Sequence, residues 1–333
     1  DPALEITIAA SGRGARALRA DGWSDWARIL ALPAEDDTRV RKLYAQQLML
    51  DRLAGERGWE LVHSLSNLGP VRLRVPLVLT LFDVIFLRER TLSALSRLAI
   101  GAVVRAAAPR AAAVVTMSEA SRAQIVRYLR VDPARVSVIP GPGRAPGPAA
   151  DVGELRARLG LGGRRVVLNV AAKRPHKNQA LLVRALERLP GDVALVLAGH
   201  DGGAGAALRA LAGRSPARAR IVCLDYVPDP ELEALYALAA CVAIPTRAEG
   251  YGLPVLEALA RGVPVACSDL PVLRELGGDA VAYFDPDDAG GCAAAIARAL
   301  ADDGTRGRAR AARFSWRAAA ERHLEIYARC TSA

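Results

Sequence analysis

Short apolar runs alternate with longer amphipathic stretches along this 333-residue chain, and the alternation occurs in two successive series. In the first series the runs at 4–10, 61–63, 75–81, 111–116 and 135–139 are short and apolar, as expected of strands in a parallel sheet covered on both faces. The stretches 39–57, 90–107 and 118–130 have helical spacing, and Ser118 stands where a side-chain oxygen would cap the last of them. The densest Pro/Gly cluster, PGPGRAPGP at 140–148, marks a domain boundary. Beyond it strands are expected at 166–170, 193–198, 220–224, 241–244 and 263–266, with a helix at 179–189. Strands alternating with helices predict an α/β protein with parallel sheets. Its expected units are 1–140, 141–315 and a terminal helical segment, 316–333.

The segment EGYGLPVLE at 249–257 follows the apolar run 241–244 and carries the most chemical information. Gly250 and Gly252 allow a close backbone approach, and Pro254 suits the first turn of a helix. The amides of Gly252, Leu253 and Val255 would then face outward at the positive end of a helix dipole, a site suited to phosphate. Glu249 and Glu257 flank that site, and a carboxylate does not bind phosphate. Hydroxyl groups are its natural partners, because an ionised carboxylate only accepts hydrogen bonds. Phosphate and hydroxyls together indicate a sugar nucleotide. On spacing alone, two solvated charges at a helix end remain the alternative.

The chain has only three lysines against 42 arginines, and two of the three, Lys173 and Lys177, fall in NVAAKRPHKN at 169–178. This is a strand-to-helix loop, the place where parallel α/β sheets bind ligands, and a lysine there can put a point charge on a pyrophosphate. A solvated lysine at a helix start is the plainer reading of Lys177.

Composition narrows the class. Hydrophobic residues make up 52% and charged residues 24%, so the chain is globular and long enough for two cores. The net charge of +10 comes from scattered arginines with only 5% aromatics, which excludes a basic stripe with stacking rings and argues against nucleic acid. It leaves a peripheral contact with anionic lipid open. No apolar run reaches the ~18–20 residues of a membrane span; the nearest, 100–117, is interrupted by Arg105 and Arg110. Five separate cysteines without a CxxC pair argue against a disulfide framework or zinc site and for a reduced, cytoplasmic protein. No leader pattern opens the chain, which starts at Asp1 rather than Met. No strand-end DxD and no clustered His/Asp set is present, so neither a metal nor another cofactor is expected.

The run EGYGLPVLEALARGVPVACSDLPVLRELGGDAVAYFDPDD, beginning at Glu249, resembles over about forty residues the signature of retaining family-4 glycosyltransferases. That resemblance implies the GT-B fold: two Rossmann-like domains facing a central cleft, the first binding acceptor, the second a nucleotide-diphosphate sugar. It implies a metal-independent hexosyl- or deoxyhexosyltransferase that retains anomeric configuration, and a terminal helix crossing back onto the first domain. The acceptor it implies is a glycan, a lipid-linked sugar or a natural product. Pro175, Lys177 and Asn178 match the family's phosphate loop, whereas Ala171 and Ala172 stand where many members carry arginine, leaving Arg174 or Lys173 to supply the charge. Gly199, in LVLAGHD, and the Tyr226-Val227 pair, in DYVPDPEL, resemble the nucleotide-side turns. Glu249 and Lys177 with Arg174 are thus the expected catalytic set. Glu257, Gly250, Tyr251, Gly252, Leu253, Val255, Tyr226, Val227, Gly199 and Lys173 are expected around the donor.

In the first half, VVTMSEASR at 114–122 is similar to a structural motif of the family, and His63 and Asp83 resemble residues facing the cleft. Phe82 occupies the slot of a histidine that in relatives lies near the donor's C6 hydroxyl. The family's first strand and glycine-rich loop have no counterpart, since residues 1–10 align with its second strand. These departures keep a catalytically inactive GT-B nucleotide-binding scaffold as the alternative. A same-fold epimerase or phosphorylase fits less well.

Overall fold

The computed structural model describes residues 4–32, 45–88 and 94–332. Behind the Pro/Gly segment lies a six-stranded, all-parallel sheet. Its strands are β7 (Arg165–Val170), β8 (Val193–Ala198), β9 (Ile221–Leu224), β10 (Ala239–Ile244), β11 (Val265–Ser268) and β12 (Ala282–Phe284), in the order β12-β11-β10-β7-β8-β9. VALVLA in β8 is buried throughout: Ala194, Val196 and Ala198 join one core, and Val193, Leu195 and Leu197 the other. Alternate side chains point to opposite faces, so an unbroken apolar run is what a doubly covered strand needs.

Ahead of the Pro/Gly segment come β1 (Thr7–Ser11), β2 (Arg28–Leu32), β3 (Val62–Ser64), β4 (Leu77–Thr80), β5 (Ala113–Thr116) and β6 (Val136–Val138). The last four form a parallel sheet in sequence order, and β1 and β2 pair separately. β1 and β3 each present an edge that pairs with no other described strand. β2 and β12 are strands the hydrophobic pattern did not predict. The helix expected over 39–57 is described only from residue 45, as the π-helical turn Ala45–Met49 running into Leu50–Arg57. That expected over 90–107 is seen as Ala94–Ala107, and residues 39–44 and 90–93 lie outside the described residues.

The terminal helix Trp316–Thr331, capped by Ser315, lies against the first half. Its Ala319 and Ile326 pack with Val78, Ala113, Val115 and Ile139 on one face of the β3–β6 sheet. This packing corrects the reading of His63 as a cleft residue. Its Nδ1 is 2.6 Å from the Tyr327 hydroxyl, its Nε2 is 2.7 Å from Thr80 Oγ1, and its ring lies 5.5 Å from that of His323. Both nitrogens are engaged, so His63 is a pin for the terminal helix.

Burial, and secondarily the His323 charge, hold the His63 ring down from 6.5 to about 4. The unfolded chain therefore takes up a proton that the folded one refuses. Stability is complete above pH 6.5, drains as pH falls from there toward 4, and levels off below. The full interval amounts to about 3 kcal/mol. Urea unfolding at pH 7.5 and 4.5 should show a smaller loss in His63→Gln than in wild type. Equal losses would place the pH dependence elsewhere.

Candidate active site

In the six-stranded sheet the chain leaves β7 toward β8 and β9, and leaves β10 in the opposite direction, toward β11 and β12. β7 and β10 are therefore neighbours whose following loops diverge, and such a switch point opens a crevice at the carboxyl ends of the strands. Lys177 stands on the loop after β7 and Glu249 on the loop after β10. They meet there, Nζ to Oε2 at 2.7 Å, with 22% and 13% of their side chains exposed.

The two loops are fastened to each other by side-chain and backbone hydrogen bonds. Asn178, at φ +55°, donates from Nδ2 to the carbonyls of Pro245 (3.0 Å) and Pro286 (2.8 Å). Its Oδ1 accepts from Arg247, whose amide donates to His176 O at 2.8 Å and whose guanidinium pairs with Asp287 at 2.6 Å. Thr246 Oγ1 is 2.7 Å from Ala248 O and 3.1 Å from His176 O. Asn178 and Arg247 thus hold the platform that carries Lys177 and Glu249. The sequence offered no sign of Arg247's part, since it is one arginine among 42.

The helix Leu253–Ala260 starts from Gly252, whose φ of +105° puts it in the region that favours glycine. The phosphate-facing set is narrower than expected. Pro254 has no N–H, and the Val255 amide is used by Gly252 O at 2.9 Å. This leaves the amides of Gly252, which is buried, and of Leu253, which is exposed, as the candidates at the helix start. Val255 and Tyr251 have buried side chains and offer nothing directly to a ligand. The Tyr251 hydroxyl donates to Gly141 O, bracing the segment between the halves. Gly250 has no positive φ; its side chain is missing for a different reason. A Cβ there would come within 2.6 Å of Asp83 Oδ2, reaching over from the turn after β4. Burial pushes the Asp83 carboxyl up; the Ile85 amide at 2.9 Å opposes this, Glu249's charge adds to it and Lys177's opposes it.

Glu257 lies one turn into the helix, and its Oε2 accepts from the Tyr236 hydroxyl at 2.8 Å. Burial, then the Glu257 charge, raise the Tyr236 hydroxyl well above its ordinary value and keep it a donor. Arg261 stacks over the Tyr236 ring at 4.7 Å and pairs with Glu233 at 2.6 Å. Tyr236 orients Glu257 and is a residue that the sequence did not bring forward.

Lys173 is not where the sequence reading put it. Only 1% of its side chain is exposed, and its ammonium donates to Gly199 O, to Leu224 O at 2.5 Å and to Asp225 Oδ1 at 3.2 Å. A buried ammonium is tolerated only with such partners, so Lys173 ties the ends of β8 and β9 to the loop after β7 and is not available to a phosphate. Arg174 is exposed and lies over the Gly202 turn. Gly199 has φ +145°, and a Cβ on it would sit 2.1 Å from Ala171 O, so only glycine lets these loops touch. Val227 packs on the core while Tyr226 is 77% exposed, and Phe82 is 39% exposed at the end of β4.

A Lys–Glu pair thus lies at the switch point of one Rossmann-like half and is met by Asp83 from the other, within the GT-B fold that a large group of glycosyltransferases shares. The chain belongs to this family: residues 151–316 match the family described as Glycosyl transferases group 1, and residues 3–142 match Glycosyltransferase Family 4. Among its relatives is the O-antigen chain mannosyltransferase B of Escherichia coli, 32% identical over 227 residues, 64% of this chain and 60% of that protein. Another is the D-inositol 3-phosphate glycosyltransferase of Xylanimonas cellulosilytica, 34% identical over 239 residues, 66% of this chain and 57% of that one. The match thus spans less than two thirds of these relatives' length. In fold the chain is similar to Anabaena HepE, solved with UDP and glucose (TM-score 0.76, 20% identity, 97% of this chain and 91% of that one). It is also similar to the sucrose-phosphate synthase of Thermosynechococcus elongatus (TM-score 0.73, 21% identity, 99% and 96%).

Proposed function

We propose that this protein moves a sugar from a nucleotide-diphosphate donor to an acceptor hydroxyl, with retention of anomeric configuration and without a metal ion. The observation that carries this reading is the Lys177–Glu249 pair at the switch point, beside the helix start at Gly252 and Leu253. Lys177 and the amides of those two residues are suited to the departing diphosphate, where charge grows in the transition state. Glu249 is suited to the hydroxyls of the sugar that becomes oxocarbenium-like, and Glu257, held by Tyr236, to the ribose. The acceptor hydroxyl attacks on the face from which the diphosphate leaves, and the diphosphate takes its proton. The UDP and glucose bound to HepE support the donor class, and the O-antigen chain mannosyltransferase among the relatives supports hexosyl transfer to a glycan.

Among the described residues no helix is long and apolar enough to cross a membrane, and the cysteines are free thiols. We place the reaction in the cytoplasm, with a peripheral contact at the inner face of the membrane if the acceptor is lipid-linked. Diphosphate release from UDP-, GDP- and dTDP-sugars, with the product's anomeric configuration read by NMR, tests the reading. A protein that binds nucleotide but releases no diphosphate from any donor is a scaffold.

Phe82 bears on the choice of sugar. Its amide is fixed by Asn67 Oδ1 at 2.6 Å, which holds the residue at the strand end. A phenyl ring cannot accept a hydrogen bond of ordinary strength from a C6 hydroxyl, and burying that hydroxyl against it costs about 1–3 kcal/mol. A 6-deoxyhexose or pentose nucleotide is therefore expected to be used about tenfold better than the hexose on the same base. A preference for the hexose would remove this specificity proposal and leave glycosyl transfer intact.

A further inference from the structure

The VVTMSEASR stretch holds the loop that carries Glu249. Ser118 and Ser121, 1% and 4% exposed, both donate to the carbonyl of Gly250, at 3.3 and 2.8 Å. Between them the amides of Glu119 and Ala120, free at the start of the helix Glu119–Leu129, donate to the carboxylate of Glu275 at 2.7 and 2.8 Å. Met117 and Ala120 pack on the core of the second half. Asp83 closes on Gly250 from the turn after β4. Every one of these groups belongs to the first half, and every partner to the second.

Gly250 directly follows Glu249, and its amide donates to Glu249 Oε1 at 3.2 Å. Its carbonyl is held from across the cleft while its amide holds the carboxylate, so one residue links the docking of the halves to the placing of Glu249. We propose that Ser118 and Ser121 form a latch that positions Glu249, so that the carboxylate is set for the sugar only while the two halves are docked through Glu275. The kinetic part of this proposal rests on the glycosyltransferase reading; the mechanical part does not. Ser121 is a positioning residue: a separated first half leaves the nucleotide's contacts on the second half intact but frees the loop.

Ser121→Ala removes the shorter of the two bonds and suits a helix, so the fold should stand. In the ligand-free protein, amide hydrogen exchange over 249–255 is expected to rise at least fivefold, and further in S118A/S121A, where Gly250 O has no hydroxyl donor left. With donor and acceptor, kcat should fall at least tenfold and the donor KM stay within about twofold. Ser215→Ala is the control, because it removes a buried hydroxyl bonded to Glu187 at 2.7 Å, away from the cleft. It should lower Tm without changing kcat or the exchange of 249–255. Unchanged exchange in both latch variants overturns the proposal, as does faster exchange with an unchanged kcat. Wild-type protein that turns over no donor would count against the enzyme reading, and the exchange result would still decide whether the latch exists.

Discussion

Replacing Lys177 with alanine should lower kcat/KM by two orders of magnitude or more, about 3 kcal/mol of transition-state stabilisation. Lys177 is the lysine that meets Glu249 at the switch point, whereas Lys173 is accounted for by Gly199, Leu224 and Asp225. The substitution has a second consequence. Glu249 loses its 2.7 Å partner while the repulsion between its charge and that of Asp83 is no longer offset by the lysine. Removing one member of a mostly buried pair destabilises more than the pair itself stabilises. A moderate fall in Tm is therefore expected along with the kinetic loss, and K177A/E249Q should recover part of it. Residues in contact are not additive, so the double variant should be little slower than the worse single one. Steady-state kinetics on the three proteins checks this. Near wild-type turnover by K177A would make Lys177 a surface residue with no part in the chemistry.

The second large effect separates the two glutamates. Glu249→Gln should reduce kcat at least a hundredfold, because its charge acts on the sugar as positive character develops. Glu257→Gln should leave kcat within a few fold and raise the donor KM about tenfold. Its amide oxygen can still accept from Tyr236, and only the strength of the ribose contact changes. Tyr236→Phe should move KM in the same direction, because it frees Glu257 to rotate. The reverse ranking of E249Q and E257Q would assign the sugar to the wrong end of the motif.

What could be read from the sequence depended on how far the deciding contacts reach. β8 was legible to the residue because VALVLA is apolar on both faces and needs no knowledge of its neighbours. β2 and β12 were not, since Arg28–Leu32 and Ala282–Phe284 are edge strands with partly exposed residues. Lys177 and Glu249 could be put in one site because the segments that carry them, 169–178 and 249–257, each resemble a donor-site segment of the family. Lys173, four residues earlier, could not be assigned: its carbonyl partners lie 26 and 51 positions away, and the direction of its side chain is a tertiary matter. His63 was misread for the same reason, because its partner Tyr327 is 264 residues distant. Gly250 was read as conformational freedom and is instead a matter of space for Asp83. Ser118 was legible as a cap, which is local, but its bond to Gly250, 132 positions away, was not.

Lys177, with the amides of Gly252 and Leu253, is proposed here as the diphosphate site. Isothermal titration of wild type and Lys177→Ala with UDP, GDP and dTDP, each beside its nucleoside, tests it most directly. At least one diphosphate should bind wild type, its nucleoside should bind at least tenfold more weakly, and K177A should remove most of this difference. Equal binding of nucleoside and diphosphate, or a difference that survives in K177A, would contradict it.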